Sequence, residues 1–142
     1  MQKWKKIASI FIVEDDPSVL DLYGMILEAY GFSVIGKAKN GQEAVEMYRS
    51  FSKKPDVILM DHRMPIKSGI EASKEILKFD RKAKIIIASG DNTIKEISMS
   101  IGISSFINKP MSNQKLVNEI NKVLQRFNYQ TTQRDVISQL KR

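Results

Sequence analysis

Val57-Ile58-Leu59-Met60-Asp61-His62-Arg63-Met64-Pro65 is the stretch that decides the fold. An unbroken apolar run that ends in a carboxylate reads as a buried strand opening onto a crevice at the edge of a sheet. The pattern repeats outward from it. Ile10-Phe11-Ile12-Val13 ends in Glu14-Asp15-Asp16, and Ile85-Ile86-Ile87-Ala88 ends in the hydroxyl of Ser89. A shorter strand, Phe106-Ile107, leads into Lys109-Pro110. If these strands run parallel, their ends lie on one side of the sheet. Carboxylates, a hydroxyl and an ammonium group then meet in one place. Such a set suits a divalent cation and a phosphoryl group.

Between the strands lie segments of helical period. Asp16 is placed to N-cap a helix with Pro17 at its first position, where a missing N–H costs nothing. Val19, Tyr23, Ile26 and Tyr30 follow at helical spacing, and Gly31 is a stop signal. Ser33 to Ala38 reads as a strand. Asn40 with Glu43, and Ser68 with Glu71, have capping-box spacing. Ile94, Ile97 and Ile101 set one face of a short helix from Asn92 to Ser100, which Gly102 ends. Leu116, Val117, Ile120, Val123, Leu124 and Phe127 mark the last long helix. Five strands alternating with five helices predict an α/β fold: a flavodoxin-like (βα)5 doubly wound parallel sheet in the order 2-1-3-4-5. The switch point of that order lies between strands 1 and 3, whose ends carry the acids.

At 142 residues the chain has the length of one domain. The expected division is a folded unit over 1–127 and a short basic tail over 128–142, in which Thr132 or Asp135 caps a turn or two. No cysteine is present, which excludes disulfides and thiolate metal sites. No apolar run approaches the roughly 20 residues of a membrane helix, and no signal peptide is evident, so a cytoplasmic location is the default expectation. The net charge of +7 sits mostly at the ends. Lys3, Lys5 and Lys6 carry three charges. Arg126, Arg134, Lys141 and Arg142 against Asp135 carry a net three more, which leaves +1 for residues 7–125. Terminal charge of this kind is usually solvated, and no aromatic-basic interleaving points to nucleic acid.

Mg²⁺ takes oxygen ligands and keeps several waters. Asp15 and Asp61 are placed to bind it directly and Glu14 through water, and a bound cation would relieve the repulsion among the three. Asp61 is then a nucleophile toward phosphorus, with Lys109 adding positive charge and Ser89 donating a hydrogen bond. Each residue also has a bland reading. Asp16 is best explained as a cap, whereas for Glu14 and Asp15, taken alone, a solvated loop explains the pair about as well as function does. Ser89 with Gly90 reads as a turn, and Lys109 as a loop lysine. The conjunction on consecutive strands is what is specific.

From Ile7 to about Phe127 the chain resembles a receiver domain of the two-component response regulators. The resemblance rests on Glu14 and Asp15, Asp61 in an Asp-x-x-Met-Pro segment, Ser89, Phe106 and Lys109-Pro110. It implies a stand-alone signalling module, not an enzyme with an external substrate. Asp61 would be the phosphoacceptor, and Phe106 an aromatic switch. Glu14, Asp15, Asp61 and the backbone carbonyl of Arg63 would hold Mg²⁺, with Mn²⁺ a substitute. The Lys109–Pro110 bond would be cis. The implied partners are a histidine kinase or phosphotransfer protein and a downstream protein that binds the face of the fourth helix, fifth strand and fifth helix. Beside the site, Arg63 and Asp91 are positioned to pair over the acyl phosphate. His62 is expected to point away from the site or to solvent.

Three other functions compete. Haloacid-dehalogenase-type phosphatases use an aspartyl nucleophile, but after the first strand and in an Asp-x-Asp arrangement that Glu14-Asp15-Asp16 lacks. Flavodoxin-like electron transfer needs a phosphate-binding Ser/Thr-rich loop after strand 1, which is missing. A nucleic-acid-binding module would rest on the basic ends alone.

Overall fold

The computed structural model describes residues 7–140, with side chains through residue 126. Five strands, β1 (Ser9–Val13), β2 (Ser33–Ala38), β3 (Val57–Asp61), β4 (Ile85–Ser89) and β5 (Ser105–Asn108), alternate with helices. These are α1 (Pro17–Ala29), α2 (Gly41–Ser50), α3 (Gly69–Phe79), α4 (Lys95–Ser100) and α5 (Asn113–Leu140). All neighbouring strands pair in parallel, in the order β2-β1-β3-β4-β5. This is the expected (βα)5 topology, with its reversal between β1 and β3.

Period-two alternation sorts the strand residues into two cores. Phe11, Val13, Ile58, Met60, Ile85 and Ile87 face α2 and α3, where Val45, Tyr48 and Ile76 meet them. Ile10, Ile12, Leu59, Ile86, Ala88 and Ile107 face α1 and α5, against Leu20, Leu27, Leu116, Ile120 and Val123. Both faces of the sheet are therefore covered, which is why the central strands are apolar throughout. Each of the larger aliphatic and phenylalanine side chains among these contributes about 1.5–3 kcal/mol by leaving water.

The local signals behave as their chemistry requires. The Asp16 carboxylate accepts hydrogen bonds from the Ser18 and Val19 N–H groups at 2.9 and 3.4 Å, with Pro17 at the first helical position. Asn40 and Ser68 cap α2 and α3 by accepting from the N–H groups of Glu43 and Glu71. Gly31 and Gly102 take positive φ, +92° and +99°, where the chain turns out of α1 and α4.

Three expectations need correction. The buried face of α1 is Leu20, Gly24 and Leu27, while Tyr30 is exposed. In a helix with many apolar residues, spacing alone does not say which of two adjacent stripes meets the sheet. Ile97 on α4 is exposed, and Ser98 is buried in its place, its hydroxyl donating to the Ile94 carbonyl at 2.6 Å. The apolar exposed residue follows from geometry: residues 92–94 form a 3-10 turn, which rotates the face presented by the helix that follows. Last, the backbone stays helical from Asn113 to Leu140, in place of a tail with a separate turn. Nothing between 127 and 128 breaks the i→i−4 pattern, because no Gly or Pro occurs there. The side chains of Phe127, Thr132 and Asp135, on which the expected packing and caps depend, are not described, and Lys3, Lys5 and Lys6 lie outside the described residues.

Two glycines bring the loop after β3 close to its neighbours. A Cβ on Gly69 would stand 2.1 Å from the Asp61 carbonyl oxygen, and one on Gly41 would stand 2.3 Å from that of Lys67. Their N–H groups donate instead to His62 and Lys67 carbonyls, at 2.8 and 3.0 Å. The loop is thus closed on itself and fastened to the start of α2. Within it Ile66 has φ +71°, a left-handed conformation that a β-branched residue adopts at a cost of about 1–3 kcal/mol.

Candidate functional site

The site lies where the sheet order reverses. β1 and β3 are neighbours, and their chains leave the sheet in opposite directions, so a crevice opens beyond their carboxyl ends. Glu14 and Asp15 follow β1, and Asp61 ends β3. One carboxylate oxygen from each of these three lies within 4.8 Å of the others. Glu14 is 3 % exposed, and its carboxylate accepts the N–H of Asp15 at 2.8 Å. Asp16, by contrast, is turned to its capping role.

From the far side comes Lys109, just past β5 in a cis Lys109–Pro110 linkage. Its Nζ stands 3.1 Å from Asp61 Oδ1 and 3.4 Å from Glu14 Oε1. Groups 48 and 95 residues apart in the chain are thereby joined. Ser89 is buried at the end of β4, its Oγ accepting the Asp91 N–H at 3.1 Å. Asp61, Arg63, Ser89, Gly90, Asp91, Asn92 and Lys109 line one open cavity of about 410 Å³. Arg63 Nη2 approaches Asp91 Oδ2 to 3.5 Å across its mouth, the pairing expected from sequence. Asp91 is held in turn by the N–H and hydroxyl of Thr93. Phe106 on β5 is half-buried against the α2–α3 core.

The electrostatics follow from crowding. Burial, then a hydrogen bond to Asp61 and repulsion from its charge, push Glu14 up to about 7, while Lys109 pulls the other way. Burial alone would lower the Lys109 ammonium. The Asp61 charge, Tyr23 and Glu14 outweigh it, and the group is held above its ordinary value. Three carboxylates gathered this tightly make a hard-oxygen donor set for a divalent cation.

Tyr23 was not foreseen, and His62 was foreseen only in part. Tyr23 read as a core position on α1, but its hydroxyl interacts with Lys109, and burial raises its pKa. The available signal was the polar tip that a tyrosine brings to an apolar stripe. His62 was expected to point away from the site or to solvent. It is half-buried, with Nδ1 enclosed and without a hydrogen-bond partner. Burial lowers its pKa, opposed by the charges of Asp61 and Asp91.

The model of the response regulator receiver domain matches residues 10–121. The chain belongs to the response regulator receiver domain family. A chemotaxis protein CheY of Thermotoga maritima is 39% identical over 116 residues, covering 80% of this chain and 95% of that protein. A chemotaxis protein CheY of Bacillus subtilis is 38% identical over 117 residues, covering 81% and 96%. Among solved structures, the CheX-CheY-BeF3-Mg²⁺ complex of Borrelia burgdorferi superposes with a TM-score of 0.78 at 28% identity, over 82% of this chain and 89% of that one. Receiver domains are signalling modules phosphorylated on an aspartate, and they bind Mg²⁺ through acidic residues. The hydrolase, flavin and nucleic-acid readings are not favoured by this membership. No helix among the described residues is long and apolar enough to cross a membrane.

The raised Glu14 carboxyl has a consequence for stability. In metal-free protein the folded state keeps this proton to about 7, against an ordinary 4.5 in the unfolded chain. The folded state binds more protons between those values, so stability is greatest at the low end and falls as pH rises through 7. Glu14→Gln is expected to flatten that slope. Thermal melts in EDTA from roughly pH 5 to 8 would show it, and an equal slope in both proteins would contradict it.

Proposed function

We propose that Asp61 accepts a phosphoryl group from a histidine kinase or phosphotransfer protein, and that the resulting acyl phosphate changes which protein the domain binds. The observation that carries this reading is the ammonium of Lys109 set between Asp61 and Glu14 in the carboxylate cluster. The Asp61 carboxylate attacks phosphorus, and the bond from phosphorus to the donor imidazole nitrogen breaks as the new P–O bond forms. Glu14, Asp15, Asp61 and the Arg63 carbonyl would hold the cation, Mg²⁺ or Mn²⁺. When bound, this cation supplies positive charge that neutralises the phosphoryl oxygens. Lys109 adds a further charge, and it is already in place before any donor arrives. Ser89 turns its hydroxyl from the Asp91 N–H toward a phosphoryl oxygen. The chain catalyses only its own phosphorylation and dephosphorylation.

The movement of Ser89 leaves room for Phe106 to turn inward, which alters the face of α4, β5 and α5. That face carries exposed Ile97 and Met99, suited to a protein partner. Couplings of this kind are worth about 1–3 kcal/mol.

Three outcomes follow. Incubation with acetyl phosphate and Mg²⁺ adds one phosphoryl mass to the wild type and none to Asp61→Asn. A phosphorylated Asp61→Asn protein would remove the assignment. The Arg63–Asp91 pair hinders attacking water, so Arg63→Ala loses its phosphoryl group faster, by about two- to fivefold, the scale of an exposed ion pair. Slower loss in the variant would contradict this. Beryllofluoride shifts amide resonances from Ile94 to Phe106, and an unchanged spectrum there would argue against the Phe106 switch.

A further inference from the structure

Pro65, Ile66 and Lys67 form a three-residue turn, closed by the Lys67 N–H donating to the Pro65 carbonyl at 2.7 Å. Ile66 is its centre, with φ +71°. Turns of this hand are rare and strained, and glycine or asparagine holds them at far less expense than a β-branched residue. Packing of the Ile66 side chain does little to offset the strain. The Ile66 side chain is 79% exposed, more than any other large apolar side chain among the described residues. Nor is the turn free to relax. Its loop is fastened by the Gly41 and Gly69 N–H groups and by an ion pair between Lys67 and Glu75. An apolar side chain is therefore held out in water, against the backbone's preference, on the loop that leaves the Asp61 site.

We propose that Ile66 is a docking residue for the protein phosphodonor, a partner whose own surface is apolar beside its phosphohistidine. The inference rests on the phosphoacceptor reading of Asp61. In-line transfer needs the donor phosphorus about 3–3.5 Å from an Asp61 oxygen. A folded donor cannot reach that point without covering the rim, of which the Ile66 loop is part. A small donor such as acetyl phosphate enters the 410 Å³ cavity without touching Ile66, which does not line it. Ile66 thus favours protein donors over small ones and leaves the acceptor chemistry unchanged.

The test compares wild type with Ile66→Asn, Ile66→Gly and Ile66→Met, the last keeping an apolar side chain without the β-branch. Three readouts are taken: melting temperature, labelling by acetyl phosphate, and transfer from a purified, phosphorylated histidine-kinase transmitter, chosen from a panel as the one that labels wild type fastest. Ile66→Asn and Ile66→Gly melt about 3 °C higher than wild type, because strain is released. Their labelling by acetyl phosphate stays within about twofold, while transfer from the kinase falls about tenfold. Ile66→Met keeps most of the transfer. Equal transfer by all four proteins would overturn the proposal, as would equal losses with both donors or the failure of every kinase to label the wild type. A wild-type dimer abolished by Ile66→Asn would assign the residue to self-association instead and equally overturn it. If acetyl phosphate fails to label wild type at Asp61, the phosphoacceptor reading itself falls, an outcome distinct from the others.

Discussion

Repulsion among Glu14, Asp15 and Asp61 is the constraint around which the molecule is arranged. Three carboxylates within 4.8 Å of one another oppose folding unless a positive charge stands among them. Lys109 provides part of that charge, from a different strand and from the other end of the chain. The two central cores hold the opposing groups in place. Ile10, Ile12, Ile58, Leu59, Ile86 and Ile87 are completely or almost completely buried, so the strand ends move little relative to one another. The site is a strained edge on a rigid sheet, and its remaining charge imbalance is what makes it receptive to a cation.

The sheet order explains why the acids are central and the other groups flank them. β1 and β3 lie side by side at the reversal, β4 brings Ser89 next to Asp61, and β5 brings Lys109 one strand further out. The loops above these strands are specialised differently. The loop after β4 is a 3-10 turn leading to a helix of six residues whose buried Ser98 bonds back to a carbonyl. The loop after β3 is stiff, tied at two glycines and holding Ile66 in a left-handed turn.

Much of this was legible in the residues. Buried parallel strands must be apolar on both faces, so Ile85-Ile86-Ile87 announces itself. Caps announce themselves too, because Asp16, Asn40 and Ser68 satisfy N–H groups only a few residues away. The cluster of Glu14, Asp15, Asp61 and Lys109 was readable because each residue ends a recognisable strand. Less was readable where the outcome depends on rotation of one element against another. The α1 stripe shifted to Leu20, Gly24 and Leu27, and Ile97 turned outward. The helical continuation to Leu140 escaped because a polar composition weakens periodicity without forbidding a helix.

By itself, then, the sequence determined which segments are strands, which residues cap the helices, and which groups arrive at the carboxyl edge, since all of these follow from contacts a few residues apart or from uninterrupted apolar runs. Only the tertiary structure decided that Tyr23 would reach Lys109, that His62 Nδ1 would be enclosed without a partner, and that Ile66 would be held left-handed. Each of those depends on where separate elements stop relative to one another in space, and that is settled by packing of the whole core.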